Sequence, residues 1–294
     1  LHESKYFDAT IVDDVRSLSA LALTWTPSAS SGLSLGFTRS VMSVTNGYSD
    51  VASHFFDAFK GVGHPDGRSF GDTTMTPGSD QLFSLFARYA LPAYGFESYV
   101  EWGRADFPVS ISDFLQQPNH SRGYSAGLQW ARQTGTNARV RLQGEVTNME
   151  QSSSIWFRGQ GSWYTSRSVI QGYTNEGQLI ASGIGPGSSA QWFATDYFRS
   201  SWQLGVTVGR TRFNNDAFFL LPYENSFANS CGHDVTVYPG MRLSYSDSYF
   251  RILTEYKPVH RYNSYFHNKT MCDSSFGTDR IIKNLTVTLT LLGW

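Results

Sequence analysis

Apolar and polar residues alternate at every second position through much of this chain, and this period constrains the fold more than any other feature. In residues 138–147 the apolar positions are Ala138, Val140, Leu142 and Val146, and the polar positions are Arg139, Arg141, Gln143, Glu145 and Thr147. A period of two places successive side chains on opposite faces of a β-strand. The sequence therefore predicts an all-β fold of antiparallel strands whose two faces differ in chemistry.

Eleven segments show this pattern, and short and long connections alternate between them. The segments are residues 15–27, 32–44, 81–91, 94–106, 122–133, 137–150, 190–199, 201–213, 233–246, 249–262 and 280–294. The long connections are residues 45–80, 107–121, 151–189, 214–232 and 263–279. Outer-membrane barrels have short periplasmic turns and long extracellular loops, whereas a soluble β-sandwich has no reason to sort its loops. We therefore predict that residues 1–294 form a single transmembrane antiparallel β-barrel domain in the outer membrane of a Gram-negative bacterium.

The composition agrees with a barrel but does not require one. Charged residues make up 16% of the chain, against about 25% in typical soluble domains. The mean hydropathy is only −0.31 although aromatic residues reach 15%, which also fits a secreted β-sandwich or a carbohydrate-binding module. No run of apolar residues is long enough for a helical membrane span. The net charge of −1 gives no reason to expect nucleic acid as a partner.

The alternation assigns different surroundings to the two faces. The face predicted to contact outer-membrane lipid carries Phe96, Val100, Trp102, Tyr124, Trp130, Trp202 and Leu204. The face predicted to line a wet lumen carries Glu97, Glu101, Arg139, Arg141, Glu145, Arg251, Glu255 and Lys257. These lumen charges are interpreted either as groups that pair with one another and with water, or as a path for a ligand.

The strand count is odd, whereas single-chain bacterial barrels have an even number of strands. We therefore expect further strands upstream of residue 1. The same count places residues 214–232 and 263–279 in neighbouring extracellular loops, which contain Cys231 and Cys272. We predict a disulfide between these cysteines, with two free thiols as the alternative.

Two prolines, Pro239 and Pro258, lie inside neighbouring predicted strands. Proline has no N–H to donate to a β-ladder, and a closed barrel has no edge at which to place it. Each proline is therefore expected at a bulge or at a strand end.

The sequence contains no motif for catalysis, metal binding or cofactor binding. The stretch GYTNEGQLIASGIGPGSSAQW at residues 172–192 is rich in glycine, but it lacks the Gly-Lys-Ser/Thr ending of a phosphate-binding loop. Its glycines are interpreted as an irregular series of turns that needs positive φ angles. The seven histidines show no paired ligand spacing. We therefore predict a protein that is not an enzyme and has no metal or cofactor.

Several segments resemble the Wzi-type capsule assembly family of outer-membrane proteins, in the order expected for that family. They are YFD at 6–8, EWGRADF at 101–107, DFLQQPNHSRGYSAGL at 113–128, GEVTNMEQS at 144–152, QGYTNEGQLIASGIGPGSSAQW at 171–192 and VGRTRFNNDAF at 208–218. The resemblance implies an eighteen-stranded barrel with helical plugging elements, of which this chain is the C-terminal portion. It also implies a non-catalytic lectin role that supports capsule or exopolysaccharide assembly or attachment. One departure stands out, because Asn175 and Glu176 occupy positions where a His-Arg pair is expected.

Aromatic residues are dense in two of the long connections. They are Trp156, Trp163, Tyr164 and Tyr173 in residues 151–189, and Phe55, Phe56 and Phe59 in residues 45–80. Such rings can stack on the apolar C–H faces of sugars, or they can pack the loops together in the barrel mouth. The residues predicted to bind polysaccharide are Trp163, Tyr164, Tyr173, Gln178, Arg158, Asn175 and Glu176. The expected partners are outer-membrane lipid, cell-surface polysaccharide and surface-assembly proteins. The alternatives are a porin, a polysaccharide conduit or a structural subunit of a surface assembly.

Overall fold

The computed structural model describes residues 1–4, 15–28, 32–59, 79–105, 110–166, 168–220, 232–266 and 279–291. All eleven predicted strands are confirmed, with bounds within a few residues of those expected. They are β1 (Arg16–Trp25), β2 (Leu33–Val44), β3 (Ser79–Leu91), β4 (Phe96–Arg104), β5 (Arg122–Gly135), β6 (Ala138–Asn148), β9 (Ser189–Arg199), β10 (Trp202–Phe213), β11 (Asp234–Ser246), β12 (Phe250–Tyr262) and β13 (Arg280–Leu291). Two further strands that the sequence did not predict are β7 (Thr174–Asn175) and β8 (Gln178–Leu179).

The eleven long strands form one sheet in which neighbours in the chain are neighbours in space, while β7 and β8 pair with each other. The registered pairs are antiparallel, for example Arg16 with Val44 and Trp202 with Arg199. The prediction of an all-β antiparallel fold is therefore confirmed. In the described part of the chain, β1 and β13 are the two edges of the sheet.

Helical structure is short and lies in the connections. It consists of α1 (Ile111–Gln116), α2 (Asn215–Leu220) and 3₁₀ turns that include Val51–His54, Asp57–Phe59, Pro92–Tyr94 and Ser153–Trp156. Among the described residues, no helix combines the length and the apolar character needed to cross a membrane.

The described chain divides into two compact units. Unit 1 comprises Leu1–Ala87, Glu101–Tyr124 and Met149–Gly187, and unit 2 comprises Arg88–Val100, Ser125–Asn148 and Ser188–Trp294. Unit 1 has a small apolar core made of strand and loop residues. Its buried members are Met42, Val169 and Tyr173, and Leu1, Val44, Leu82 and Tyr164 pack around them.

The register confirms in unit 2 that the sheet has one charged and one apolar face. Directly opposite residues of antiparallel strands share a face, and Arg141 lies opposite Asp196 while Arg242 lies opposite Glu255. The alternate positions of β10 carry Trp202, Leu204, Val206 and Val208, all of which are exposed. Exposed aliphatic and aromatic side chains in a continuous row are typical of a lipid-facing strand.

The two prolines correct one expectation, because neither marks a strand end. Pro239 pairs with Val208 inside β11, and Pro258 pairs with Lys283 inside β12. Between β11 and β12 the register runs to Val237 with His260 and resumes at Met241 with Tyr256. Both pairs have the same offset, so no extra residue is inserted and there is no bulge. The offset places the two prolines directly opposite each other, so both missing N–H groups fall at one point of the ladder.

Candidate functional site

A buried arginine, Arg16, joins the start of β1 to the glycine-rich part of the 151–189 connection. Arg16 is 1% exposed, and its guanidinium donates to the carbonyl oxygens of Ile170, Gly172, His2 and Thr174 at 2.8–3.0 Å. Arginine suits this position because its planar fork of donors can serve several acceptors at once. The arrangement fixes residues 170–174 against the first residues of the chain.

The connection then forms a tight hairpin from β7 and β8. Glu176 and Gly177 lie in its turn with φ angles of +50° and +79°, which is the backbone sign pattern of a type I′ turn. Asn175 uses its side-chain oxygen to accept a hydrogen bond from the His2 N–H, at 3.0 Å. The Glu176 N–H donates to the His2 carbonyl at 2.8 Å. Both main-chain groups of His2 are thus bonded to the hairpin, one to the Asn175 side chain and one to the Glu176 N–H.

An exposed tyrosine lies beside this hairpin. The Tyr48 hydroxyl is 2.8 Å from His2 Nε2, and the two ring centroids are 5.6 Å apart. Tyr48 is 72% exposed, and the side chains of Glu176 and Gln178 are also exposed. We call the set of His2, Tyr48, Asn175, Glu176 and Gln178 the hairpin surface. It combines an open aromatic ring with an exposed carboxylate and an exposed amide.

The three aromatic residues predicted to bind polysaccharide lie together inside unit 1. Trp163 and Tyr173 are 8% and 3% exposed. The ring of Tyr164 stands between them, with centroid distances of 5.6 Å to Trp163 and 6.4 Å to Tyr173. Burial raises the pKa of the Tyr164 hydroxyl. This placement is the one that the loop-packing alternative expects.

Arg158 is placed apart from the hairpin, in an ion pair with Asp113 of α1 at 2.5 Å and with a hydrogen bond to Gln117 at 3.1 Å. His120 lies nearby and is 2% exposed. Burial, and after it the cationic side chains of Arg158 and Arg104, lowers the pKa of the His120 imidazole to about 4. These residues connect α1 to the Ser153–Trp156 turn. No pattern in the sequence predicted that they lie together.

Several of the charges predicted to line a lumen have side-chain partners that the sequence analysis did not name. Asp196 accepts from Arg141 and Arg242, each at 2.7 Å, and its carboxylate is fully buried between them. Gly205 lies opposite Asp196 in the register, and the carboxylate fills the space that a side chain there would need. A buried carboxylate with two guanidinium partners has its lone pairs satisfied, which is how a charge tolerates burial.

The remaining predicted lumen residues follow the same trend. Tyr99 donates to the Glu145 carboxylate across Gly127, and Glu97 forms a two-point ion pair with Arg88. Arg139 stacks on the ring of Phe198 at 4.7 Å. Two residues depart from this trend, because Glu255 only lies opposite Arg242 in the register and Glu101 is exposed. Cys231 and Cys272 lie outside the described residues, so their pairing stays a prediction.

Comparison with known proteins supports the fold. No protein-family model matches the chain, and no curated protein matches it significantly. Among solved structures, the chain is similar to Wzi, an outer membrane protein involved in group 1 capsule assembly in Escherichia coli and described as a carbohydrate-binding β-barrel. The TM-score is 0.54 at 13% sequence identity, and the match covers 84% of this chain and 48% of the Wzi chain. This chain therefore spans about half of the length of that protein, and the predicted resemblance is confirmed for the fold.

Proposed function

We propose that this chain is part of an outer-membrane β-barrel that binds surface polysaccharide without catalysis and supports capsule or exopolysaccharide assembly or attachment. The hairpin surface is the observation that carries the proposal. Tyr48 offers an exposed ring that can stack on the apolar C–H face of a pyranose. Glu176 and Gln178 offer acceptors and donors for sugar hydroxyl groups.

Several hydrogen bonds hold the backbone of the hairpin in place, which favours binding. The type I′ turn, the two bonds to His2 and the Arg16 cluster fix the backbone that carries Glu176 and Gln178. A site that is already ordered loses little conformational entropy when it binds. Sugars offer many weak contacts and little apolar area, so a low entropic cost matters for their recognition.

Charge at the hairpin turn suggests which glycans this surface would accept. Glu176 is exposed and carries the local negative charge, while Asn175 beside it is neutral. Like charges repel at close range, so we propose a preference for neutral or amine-bearing glycans over uronic-acid polymers. The predicted binding residues Trp163, Tyr164 and Tyr173 would then act by holding the connection in place beneath this surface.

The outer-membrane location rests on the fold and on the apolar face. The exposed row from Trp202 to Val208 has the apolar character that lipid requires. The similar solved structure is an outer-membrane protein. Both observations support a barrel that contacts lipid with one face of its sheet.

The test is glycan-array binding of the protein folded into lipid vesicles, compared with two variants. Tyr48→Ala should lose most of the signal, because it removes the stacking ring. Tyr94→Ala is the matched control, because Tyr94 is equally exposed, at 74%, but lies in the short Pro92–Tyr94 turn. Unchanged binding in Tyr48→Ala would disprove the role of the hairpin surface. Steady conductance across a planar bilayer with no glycan signal would favour the conduit alternative.

A further inference from the structure

The 51–59 segment lies on the apolar side of β1 and β2. The Ser19 hydroxyl donates to the Phe55 carbonyl at 2.8 Å and accepts from the Ala58 N–H at 3.2 Å. The Arg39 guanidinium donates to the Ala58 carbonyl at 3.4 Å. Three bonds from two neighbouring strands therefore hold this segment against the sheet.

The side of the sheet that it covers is the one on which Leu23 and Trp25 are exposed. Alternate residues of β1 share a face, so Ser19, Leu21, Leu23 and Trp25 lie on one side. The register pairs Leu21 with Arg39, which places Arg39 on that side as well. Leu23 is 56% and Trp25 is 63% exposed. An apolar row on these strands therefore runs directly into the 51–59 segment.

The segment hides the polar residues that follow this row. The buried polar side chains on this part of the two strands and of β3 are Ser17, Ser19, Arg39, Ser43 and Gln81. Ser43 donates to the buried carboxylate of Asp57 at 3.0 Å, and Arg39 donates to Gln81 at 2.8 Å. Ser19, Arg39 and Ser43 thus find hydrogen-bond partners within the protein, beneath the segment.

The outer surface of the same segment is aromatic. Phe55, Phe56 and Phe59 are 70%, 62% and 62% exposed. Their rings meet edge to face, with centroid distances of 5.0 Å and 6.1 Å. Polar contacts therefore point toward the sheet and apolar rings point away from it. That polarity is the reverse of what a loop in water shows.

A second element on this side of unit 1 also carries exposed apolar side chains, although its contact with the sheet is aromatic. Phe114 of α1 packs edge to face on Trp102 at 5.6 Å, and Trp102 in turn meets Phe83 at 6.1 Å. Phe83 meets Phe37, the partner of Leu23 in the register. The large apolar side chains left exposed on α1 and on the adjoining turn are Ile111, Leu115, Trp156 and Phe157. The Arg158 to Asp113 ion pair joins that turn to α1.

We infer that these two elements form a lipid-contacting collar, made of Phe55, Phe56, Phe59, Ile111, Leu115, Trp156 and Phe157. The occupant is the acyl-chain and headgroup boundary of the leaflet at the long-connection end of the strands. Aromatic rings are favoured at this boundary, and amphipathic segments lie in it with their apolar face toward the acyl chains. The collar continues the apolar row of Leu23 and Trp25, so one lipid surface covers both. This inference rests on the proposed outer-membrane location.

The test is photo-crosslinking in vesicles of dioleoylphosphatidylcholine. p-Benzoylphenylalanine is placed at Phe56 and, in a second variant, at Phe157, and the irradiated protein is analysed by mass spectrometry for lipid adducts. Leu23 serves as the control for the apolar side of β1. Leu18 serves as the control for the opposite side of the same strand, where it pairs with Met42 of the unit 1 core. Heat-dependent gel mobility verifies that each variant is folded.

The collar predicts lipid adducts at Phe56, Phe157 and Leu23 in similar yield, and several-fold fewer at Leu18. Adducts at Leu23 without adducts at Phe56 and Phe157 would overturn the collar and leave the membrane location standing. Crosslinks between two protein copies at Phe56 in place of lipid adducts would also overturn it. The absence of adducts at Leu23 as well would refute the outer-membrane proposal, and the collar with it.

Discussion

The indole of Trp163 occupies the space that a side chain at Gly123 would need. A Cβ atom at residue 123 would lie 2.8 Å from Trp163 Cε2, and one at Gly103 would lie 3.0 Å from Trp163 Cη2. Two glycines on neighbouring strands therefore leave the space that one ring occupies. The 151–189 connection packs on the sheet of unit 1 at this point.

Gly123→Ala should lower the free energy of unfolding by about 1–3 kcal/mol, because overpacking forces the ring or the backbone to move. The loop should also become more accessible to protease near Trp163. Gly135→Ala is the control, because the nearest atom to a Cβ there is 3.8 Å away. Both variants are compared by urea unfolding in vesicles. Equal stability of the two would show that the ring adjusts freely.

Arg16→Lys should release residues 170–174, although it keeps the positive charge. An ammonium group cannot serve four separated carbonyl oxygens from one position, so some acceptors lose their partner. We expect a loss of about 2–4 kcal/mol and new protease cleavage near Gly172. Arg132→Lys changes an exposed arginine and should have no effect. Intact protection of the connection in Arg16→Lys would contradict the anchoring role of Arg16.

Asp196→Asn should destabilise unit 2, because Arg141 and Arg242 lose their shared charged partner. Removing one partner of a buried ion pair typically costs several kcal/mol; the guanidinium groups are about one-third exposed, so we expect about 2–4 kcal/mol. Glu255→Gln removes a carboxylate that lies opposite Arg242 but is not a partner of Asp196, and it should change stability by less than about 1 kcal/mol. Chemical unfolding followed by tryptophan fluorescence measures both. Similar values for the two variants would mean that the cluster contributes no specific stability.

His120 should make folding sensitive to acid. Its pKa falls from 6.5 to about 4 in the folded protein because of burial and the nearby cations Arg158 and Arg104. The unfolded chain therefore binds the proton first as the pH falls through about 6.5, and stability drops by about 3 kcal/mol by the time the pH reaches 4. The wild type should lose more stability than His120→Gln between pH 7 and pH 4. A parallel pH dependence of the two would refute the prediction.

The strands could be predicted because their signal is local. The alternation of apolar and polar residues and the lengths of the connections are visible in short stretches of sequence. These two features located all eleven long strands and their faces. The existence of a charged face could also be predicted, whereas the pairing of Arg141 with Asp196 could not, because it depends on the register. The opposed position of the two prolines could not be predicted either, because it also depends on the register between strands. Alternation of apolar and polar residues is compatible with any registers that differ by two residues.

The hairpin surface was only partly predictable. Asn175, Glu176 and Gln178 were named because their segment resembles a known signature, but His2 and Tyr48 were missed. Arg16 was missed because its acceptors are main-chain carbonyls up to 158 residues away. Every residue has a main-chain carbonyl, so the sequence does not show which ones will accept. Trp163 and Tyr173 were named as ligand-binding residues but are buried. An aromatic residue among polar neighbours gives the same sequence pattern whether it binds a ligand or packs inside a loop.

The opposed prolines have a mechanical consequence for the sheet. At Pro239 and Pro258, the strands β11 and β12 lack both of the N–H groups that would link them there, and the register is complete again at Val237 with His260 and at Met241 with Tyr256. A force that slides one strand along the other is resisted least where these hydrogen bonds are missing. When the protein is pulled from its C-terminal end, we expect the fracture between β11 and β12 to start at this point and spread toward both ends of the strands.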